Sequence, residues 1–415
     1  MKVSTILMSG ALALGLSSAA YADTTIYITG STAFRSAVKL AIDATYGGGL
    51  TASAQYDGSS AGGANEMYWK GTFPGISGIT TVKAVWSGSV AGVRAVDTGI
   101  PIGNFIADNP RLLGFNGTIT PAANGADATL YDQTTHSCQL AMSDSFQKAT
   151  VYNSHQLLNT NVGVVPFVWI KNNGLLSDSH WANLTNVVDC TLRVLLTGPI
   201  PLSMFTGSTN DWDGNEPLVY AVGRNDDSGT RLAAFADTLF GIFTAPDQFD
   251  ITGTNASTIA IAQDTQVDGT GNPAQPGTQG YSSGGKVATA MKVPGSATAA
   301  QDGTYGFGTG WYAIAYVGLS DASSAVSGGA AYLTYNGVPY SPANVQNGPY
   351  QFWGYEHILG IQGLSGDPLT FYKNLAGALR NGNYETTSGA GFEISTMNVS
   401  RTSDGGPVTY GNIYN

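Results

Sequence analysis

The chain has 415 residues, of which 42% are apolar and only 11% charged, with 55 glycines and a formal net charge of −11. An acidic chain with 17 basic residues is a poor nucleic-acid binder and is repelled by anionic lipid. An anionic ligand would have to be held by local donors and not by a general positive field. The apolar fraction is that of a globular fold, which excludes disorder.

In chain order, the first segment is a processing signal. Lys2 supplies the positive start, residues 6–20 are apolar and small, and Ala20-Tyr21-Ala22 is an A-x-A cleavage site. The apolar stretch is short for a membrane span, which needs about 20 residues, and no cysteine follows it for lipid attachment. The expectation is cleavage after Ala22 and a periplasmic or secreted chain. Removing Lys2 takes the charge from −11 to −12. A mature chain of about 390 residues is long for one compact core and suggests two domains.

Residues 24–29 are β-rich and end at Gly30. Ser31-Thr32 follows, and then Phe34, Val38 and Ile42 recur at helical spacing. The pattern is strand, glycine turn, hydroxyl cap, helix. Residues 46–64 are rich in Gly, Ser and Ala, and residues 101–135 read as a loop-rich insertion. Cys138 and Cys190 are the two cysteines. In an oxidising compartment an isolated pair favours a disulfide, and neither has a ligand partner at metal spacing. Residues 162–170 and 311–319 are apolar runs that read as buried strands. Residues 251–280 read as a polar loop. Strands alternating with helices, without an internal repeat, predict an α/β fold.

The strand–turn–helix device recurs at residues 224–230, Arg-Asn-Asp-Asp-Ser-Gly-Thr, ahead of an apolar stripe of Leu232, Phe235 and Leu239. Ser-Gly-Thr at a helix start offers free N–H groups, two hydroxyls and the positive end of the helix dipole. Arg224 adds a planar cation suited to an oxyanion. Together they make a receptor for a small tetrahedral anion such as phosphate, although Ser-Gly-Thr by itself is a common helix cap. Enzyme readings are weaker. Gly280-Tyr281-Ser282-Ser283-Gly284 matches G-x-S-x-G, but no strong apolar strand precedes it. Gly306-Phe307-Gly308-Thr309-Gly310 precedes its strand where a dinucleotide fingerprint follows one. His136, His155, His180 and His357 lack paired metal-ligand spacing. No catalytic residue, metal or cofactor is expected. Trp311, Tyr312, Trp353 and Tyr355 read as core or lobe-interface packing.

Seven segments line up in order: Gly30-Ser31-Thr32, residues 56–63, Ala141-Met142-Ser143-Asp144, residues 183–198, residues 224–230, residues 313–317 and residues 336–350. In this order the chain resembles the phosphate-binding component of bacterial phosphate ABC importers, within the type 2 periplasmic binding proteins. The resemblance implies two α/β lobes with an anion buried in the cleft between them. Residues 23–160 and 316–415 would form lobe 1 and residues 161–315 lobe 2, with crossings at 162–170 and 311–319. It implies ligand contacts at Ser31, Thr32, Ala33, Ser59, Ser60, Ser143, Asp144, Arg224, Ser228, Gly229 and Thr230, with Asp226 bridging to Arg224. The implied partners are inorganic phosphate or a related oxyanion and an inner-membrane ABC permease, with the binding protein a monomer. The sequence departs from the family at the first turn, which is one residue short. It departs again at Asp227, a carboxylate where the family has glycine.

Overall fold

The computed structural model describes residues 22–56, 63–108, 116–119, 131–174, 179–208, 218–255, 258–294, 298–301 and 311–411. The strands in chain order are β1 (Thr24–Gly30), β2 (Leu50–Tyr56), β3 (Glu66–Gly71), β4 (Thr80–Val85), β5 (Asn116–Ile119), β6 (Leu140–Ser143), β7 (Leu158–Lys171), β8 (Asn186–Val187), β9 (Ile200–Pro201), β10 (Leu218–Val222), β11 (Phe249–Asn255), β12 (Thr258–Gln263), β13 (Thr298–Gln301), β14 (Tyr312–Gly318), β15 (Ala331–Tyr332), β16 (Thr334–Tyr335), β17 (Trp353–Gly360), β18 (Val399–Ser400) and β19 (Thr409–Tyr410). The helices are α1 (Arg35–Tyr46), α2 (Ser89–Thr98), α3 (Ser179–Asn183), α4 (Asp189–Leu195), α5 (Ser203–Thr206), α6 (Gly229–Asp237), α7 (Gly284–Met291), α8 (Leu319–Ser327), α9 (Pro342–Gln346), α10 (Gly366–Asn381) and α11 (Tyr384–Ser388).

The main sheet is mixed and runs β5-β2-β3-β4-β1-β6-β17-β7-β14-β10-β9, with β15 added beside β7. Strand β7 joins its two halves. Residues 158–166 pair antiparallel with β17, and residues 167–171 pair antiparallel with β14. From Val162 onward every residue of β7 is buried, as a strand covered on both faces requires. The fold is therefore α/β with two lobes, one built on β1 and its neighbours and the other on β10 and β14. The run at 311–319 forms β14, buried throughout. It pairs with β7 only over Phe167–Lys171, and the chain rejoins the first half of the sheet at β17. Among the described residues no helix is long and apolar enough to cross a membrane.

Aromatic side chains fill the junction. Trp169 on β7 stacks on Phe352 at 5.4 Å and meets the Tyr316 ring edge-on at 5.5 Å. Trp311, Tyr312, Trp353 and Tyr355 are all buried. They pack in the core, as expected. Burying each such ring stabilises the fold by roughly 1.5–3 kcal/mol or more, which ties the lobes through their shared strand.

Four expectations need correction. Residues 251–280 are not one loop: β11 and β12 pair antiparallel with Ile251 opposite Ile261. The alternating isoleucines were a period-2 signal hidden among polar neighbours. The 101–135 segment is not only loop, because β5 pairs parallel with β2 at the sheet edge. Leu239 does not extend the α6 stripe. The helix ends at Asp237, and Leu239 has φ 57° and is exposed. Finally, the cysteines are both free. Cys138 is buried among Val93, Phe105, Leu157 and Leu359 beside β6, whereas Cys190 lies exposed on α4 in the other lobe. Oxidation state follows from placement here, and the fold puts these two thiols on different lobes. Residues 1–21, which carry the cleavage signal, lie outside the described residues.

Candidate anion site between the lobes

Strand β10 ends at Val222, and Gly223 turns the chain into the 224–228 loop that feeds α6. A Cβ on Gly223 would collide with Gln248 Oε1 and the Tyr316 hydroxyl, so only glycine lets this backbone pass. Arg224 follows and is 3% exposed. Its Nε donates to Tyr281 O at 3.0 Å, its Nη2 donates to Ser282 O at 3.1 Å, and its backbone N–H donates to the Tyr316 hydroxyl at 3.1 Å. Carbonyls thus hold two of the guanidinium donors, and among the described residues no carboxylate pairs with Arg224 directly. Burial lowers the Arg224 pKa, and Asp321, Asp144, Tyr316 and Asp227 oppose that.

Ser228 is the N-cap of α6 and its Oγ accepts from Arg231 N at 3.3 Å. Gly229 and Thr230 open the helix and are buried. Their N–H groups carry the positive end of the dipole. Across the cleft, Asp144 sits just past the end of β6 and is 2% exposed. A Cβ on Gly229 would overlap Asp144 Oδ1, so the carboxylate of one lobe lies against the helix start of the other. The Asp144 N–H donates to Ser89 Oγ at 3.1 Å, and the Ser145 hydroxyl donates to Asp144 Oδ1 at 3.4 Å. Burial raises the Asp144 pKa, against Ser89, Arg224 and Ser145.

A second helix start closes the arrangement. The Val90 and Ala91 N–H groups at the start of α2 donate to Asp227 O at 3.0 and 3.4 Å. Arg94 Nη1 pairs with Asp227 Oδ1 at 3.1 Å. Burial pushes the Asp227 carboxyl up to about 6, and Arg94 is the largest influence drawing it down. These bonds link α2 in one lobe to the 224–228 loop of the other, so the lobes are clasped.

The expected residues are thus partly assembled. Asp144, Arg224, Ser228, Gly229 and Thr230 meet at the α6 start. Ser31 is buried beside β6, with its N–H donating to Met142 O at 2.8 Å. Its hydroxyl has no hydrogen-bond partner among the described residues. Thr32 is half-buried, and Ala33 Cβ lies 3.8 Å from the point a Cβ on Gly318 would occupy. Ser143 is spent locally: its Oγ donates to Ser145 O at 2.8 Å and accepts from Ser145 N at 3.2 Å. Asp226 takes a different partner from the one the resemblance implies. Its Oδ1 accepts from Gly269 N at 2.9 Å, and backbone carbonyls hold the Arg224 fork in its place. Ser59 and Ser60 lie outside the described residues.

Sequence reasoning missed Ser89, Tyr281, Ser282 and Asp321. Ser89 carried a signal, since Gly88-Ser89 precedes an apolar helical pattern. Tyr281 and Ser282 act through carbonyl oxygens, which no side-chain motif reveals. Among the described residues no group of three or more His, Cys, Asp or Glu is placed to hold a metal ion.

Neither a protein-family model nor a curated protein matches the chain. Solved structures similar to it include a protein from Clostridium perfringens, assigned as a phosphate ABC transporter substrate-binding protein and determined with bound phosphate. It is 13% identical, the match covers 85% of this chain and 92% of that one, and the TM-score is 0.45. An ABC-type phosphate transport receptor from Vibrio cholerae is 12% identical over 88% of this chain and 98% of that one, with a TM-score of 0.45. PstS from Borrelia burgdorferi is 12% identical over 88% and 97%, with a TM-score of 0.38.

Proposed function

We propose that this chain is a periplasmic solute-binding protein that captures inorganic phosphate and delivers it to an inner-membrane ABC permease, without making or breaking a bond. One observation carries the reading. The buried Arg224 guanidinium and the N-terminus of α6 face Asp144 of the opposite lobe. Dry cationic and N–H donors beside a carboxylate suit an oxyanion that still carries a proton. Hydrogen phosphate can donate that proton to Asp144, whereas sulfate would set two negative groups together in a low-dielectric cleft. Ser31, Thr32, Ala33, Ser59 and Ser60 complete the proposed contact set, whereas the Ser143 hydroxyl is taken by Ser145. Lobe 1 comprises residues 23–160 and the chain from β17 onward, and lobe 2 the residues between, a division supported by β15 and β16, which pair with β7 and β8. The protein acts as a monomer, and the permease recognises its closed form.

A second reading, capture of a phosphorylated solute, is favoured by a cavity of about 200 Å³ lined by Val90, Tyr152, Ser228, Arg231, Phe235 and Phe243. It adjoins Ser228 and has room for a small organic group. Calorimetric titration of the mature chain with phosphate, sulfate and a phosphate monoester separates the readings. Tight binding of inorganic phosphate alone supports the first, and tighter binding of the ester supports the second. No binding of any of them leaves a vestigial cleft.

A further inference from the structure

The first turn of the anion site has a neighbour on β17 that the motif order does not include. Glu356 stands two residues beyond Gly354, on the same face of the strand. That face meets the Asp144 backbone, because a Cβ on Gly354 would lie 2.5 Å from Asp144 O. Across the ladder Glu356 pairs with Gly163. A Cβ there would lie 2.8 Å from the Phe34 ring and 3.2 Å from Glu385 Cγ. The Glu356 side chain is therefore walled in by the β1–α1 turn, the end of β6 and α11. It is 0% exposed, and among the described residues neither carboxyl oxygen has a hydrogen-bond partner.

The groups that face it are Ser31 from the turn, Asp144 from beyond β6 and Glu385 from α11. Its neighbour His357 points to the other face of β17, where Nδ1 meets Asn159 Oδ1 at 3.0 Å. Among the described residues no cation pairs with Glu356. An ionised carboxylate in such a place would cost many kcal/mol in lost solvation, so the group keeps its proton. Burial, Asp144 and Glu385 all push it well above the usual carboxylate range, and only Ser31 draws it down. Among the described residues the Ser31 hydroxyl has no partner within ordinary hydrogen-bond distance, yet it lies close enough to Glu356 to draw its pKa down, so the two groups face each other behind the anion site.

We propose that Glu356 is a neutral carboxylic acid that orients the Ser31 hydroxyl, donating its own proton to Ser31 Oγ so that the Ser31 O–H points at the bound oxyanion. Glu356 is a positioning residue: it never touches the ligand, and it acts through Ser31. If it ionised, two things would reverse together. The carboxylate would take the Ser31 proton for itself, and a negative charge would stand behind an anionic ligand. The inference rests on the oxyanion reading of the cleft.

The test is calorimetric titration with inorganic phosphate at neutral pH. Wild type is compared with Glu356→Gln, whose amide can donate to Ser31 Oγ, and with Glu356→Met, which cannot. The expected result is that Glu356→Gln keeps the wild-type affinity, while Glu356→Met weakens binding about tenfold, the loss of one oriented hydrogen bond. Glu356→Met binding within about twofold of wild type would overturn the inference and leave the oxyanion reading standing. Absence of phosphate binding by wild type would sink both. If Glu356→Gln does not fold, infrared spectroscopy of wild type labelled with ¹³C-glutamate, alongside Glu385→Gln, decides the protonation. A labelled acid C=O band that survives Glu385→Gln supports a neutral Glu356, and no such band overturns it.

Discussion

Gly229→Ala probes the clasp between the lobes with a single methyl group. Gly229 is the first residue of α6 and has no left-handed φ, so an alanine meets no backbone strain. The added Cβ would overlap Asp144 Oδ1 and lie 2.7 Å from Ser145 Oγ, both carried by the opposite lobe. Alanine favours a helix over glycine by roughly 0.5–1 kcal/mol, but it does so with the lobes open or closed, and that term cancels from ligand affinity. The overlap exists only when the lobes are closed, and such overpacking costs about 1–3 kcal/mol. A closed state weakened by that amount lowers affinity about 5- to 150-fold. Calorimetry with phosphate reads the affinity, and a thermal melt without ligand reads the fold, which should hold its melting temperature or gain slightly. Affinity within about twofold of wild type would refute the reasoning, since it would mean that Asp144 does not lie against α6 in the liganded protein.

Further outcomes follow from the same geometry. Arg224→Ala should weaken phosphate binding about 10²- to 10³-fold, as expected when one partner of a buried charged set is lost. Circular dichroism should show a folded chain with a lower melting point, because Tyr281 O and Ser282 O lose their donor. Asp144→Asn should admit sulfate, while Asp227→Asn should not, because Asp227 is engaged by Arg94; competition calorimetry with both anions checks this. Thiol labelling should find two free cysteines. Cys190 should react in the native protein, and Cys138, whose pKa burial pushes up to about 12, only after unfolding. Stability should rise as pH falls from about 8 to about 5. Burial raises Asp227 to about 6, Asp237 and Asp404 to about 7 and Glu385 to about 8. The folded state therefore binds more protons than the unfolded one across this window, and stability is lost as pH climbs through those values. His357, held near 3 by burial, opposes the trend below about pH 6.5. As a single group it cannot cancel four carboxyls. A melting temperature that falls steadily from about pH 8 to about pH 5 would contradict this account of the buried acids.

Much of the fold was legible because its signals are local. The apolar runs at 162–170 and 311–319 are strands because nothing polar interrupts them. The two glycine–hydroxyl turns, at Ser31 and Ser228, precede helices because their apolar spacing is helical. What the sequence hid depends on distance in space. The β11–β12 hairpin was masked by polar residues between its isoleucines. The disulfide expectation failed because two cysteines 52 positions apart (138 and 190) were placed on different lobes. The Arg224 site was half legible. The arginine and the helix cap stand together in the chain. The carbonyls of Tyr281 and Ser282 reach the site only through folding, and no motif marks them.

The most direct measurement of the central claim is a crystal structure of the mature chain grown with arsenate, a tetrahedral oxyanion that can be located by its anomalous scattering. The account predicts one arsenic peak per chain between the lobes. Its oxygens should lie within hydrogen-bond reach of Arg224 and the Gly229 and Thr230 N–H groups, with Asp144 opposite. An empty cleft at saturating arsenate, or a peak away from the α6 N-terminus, would contradict it.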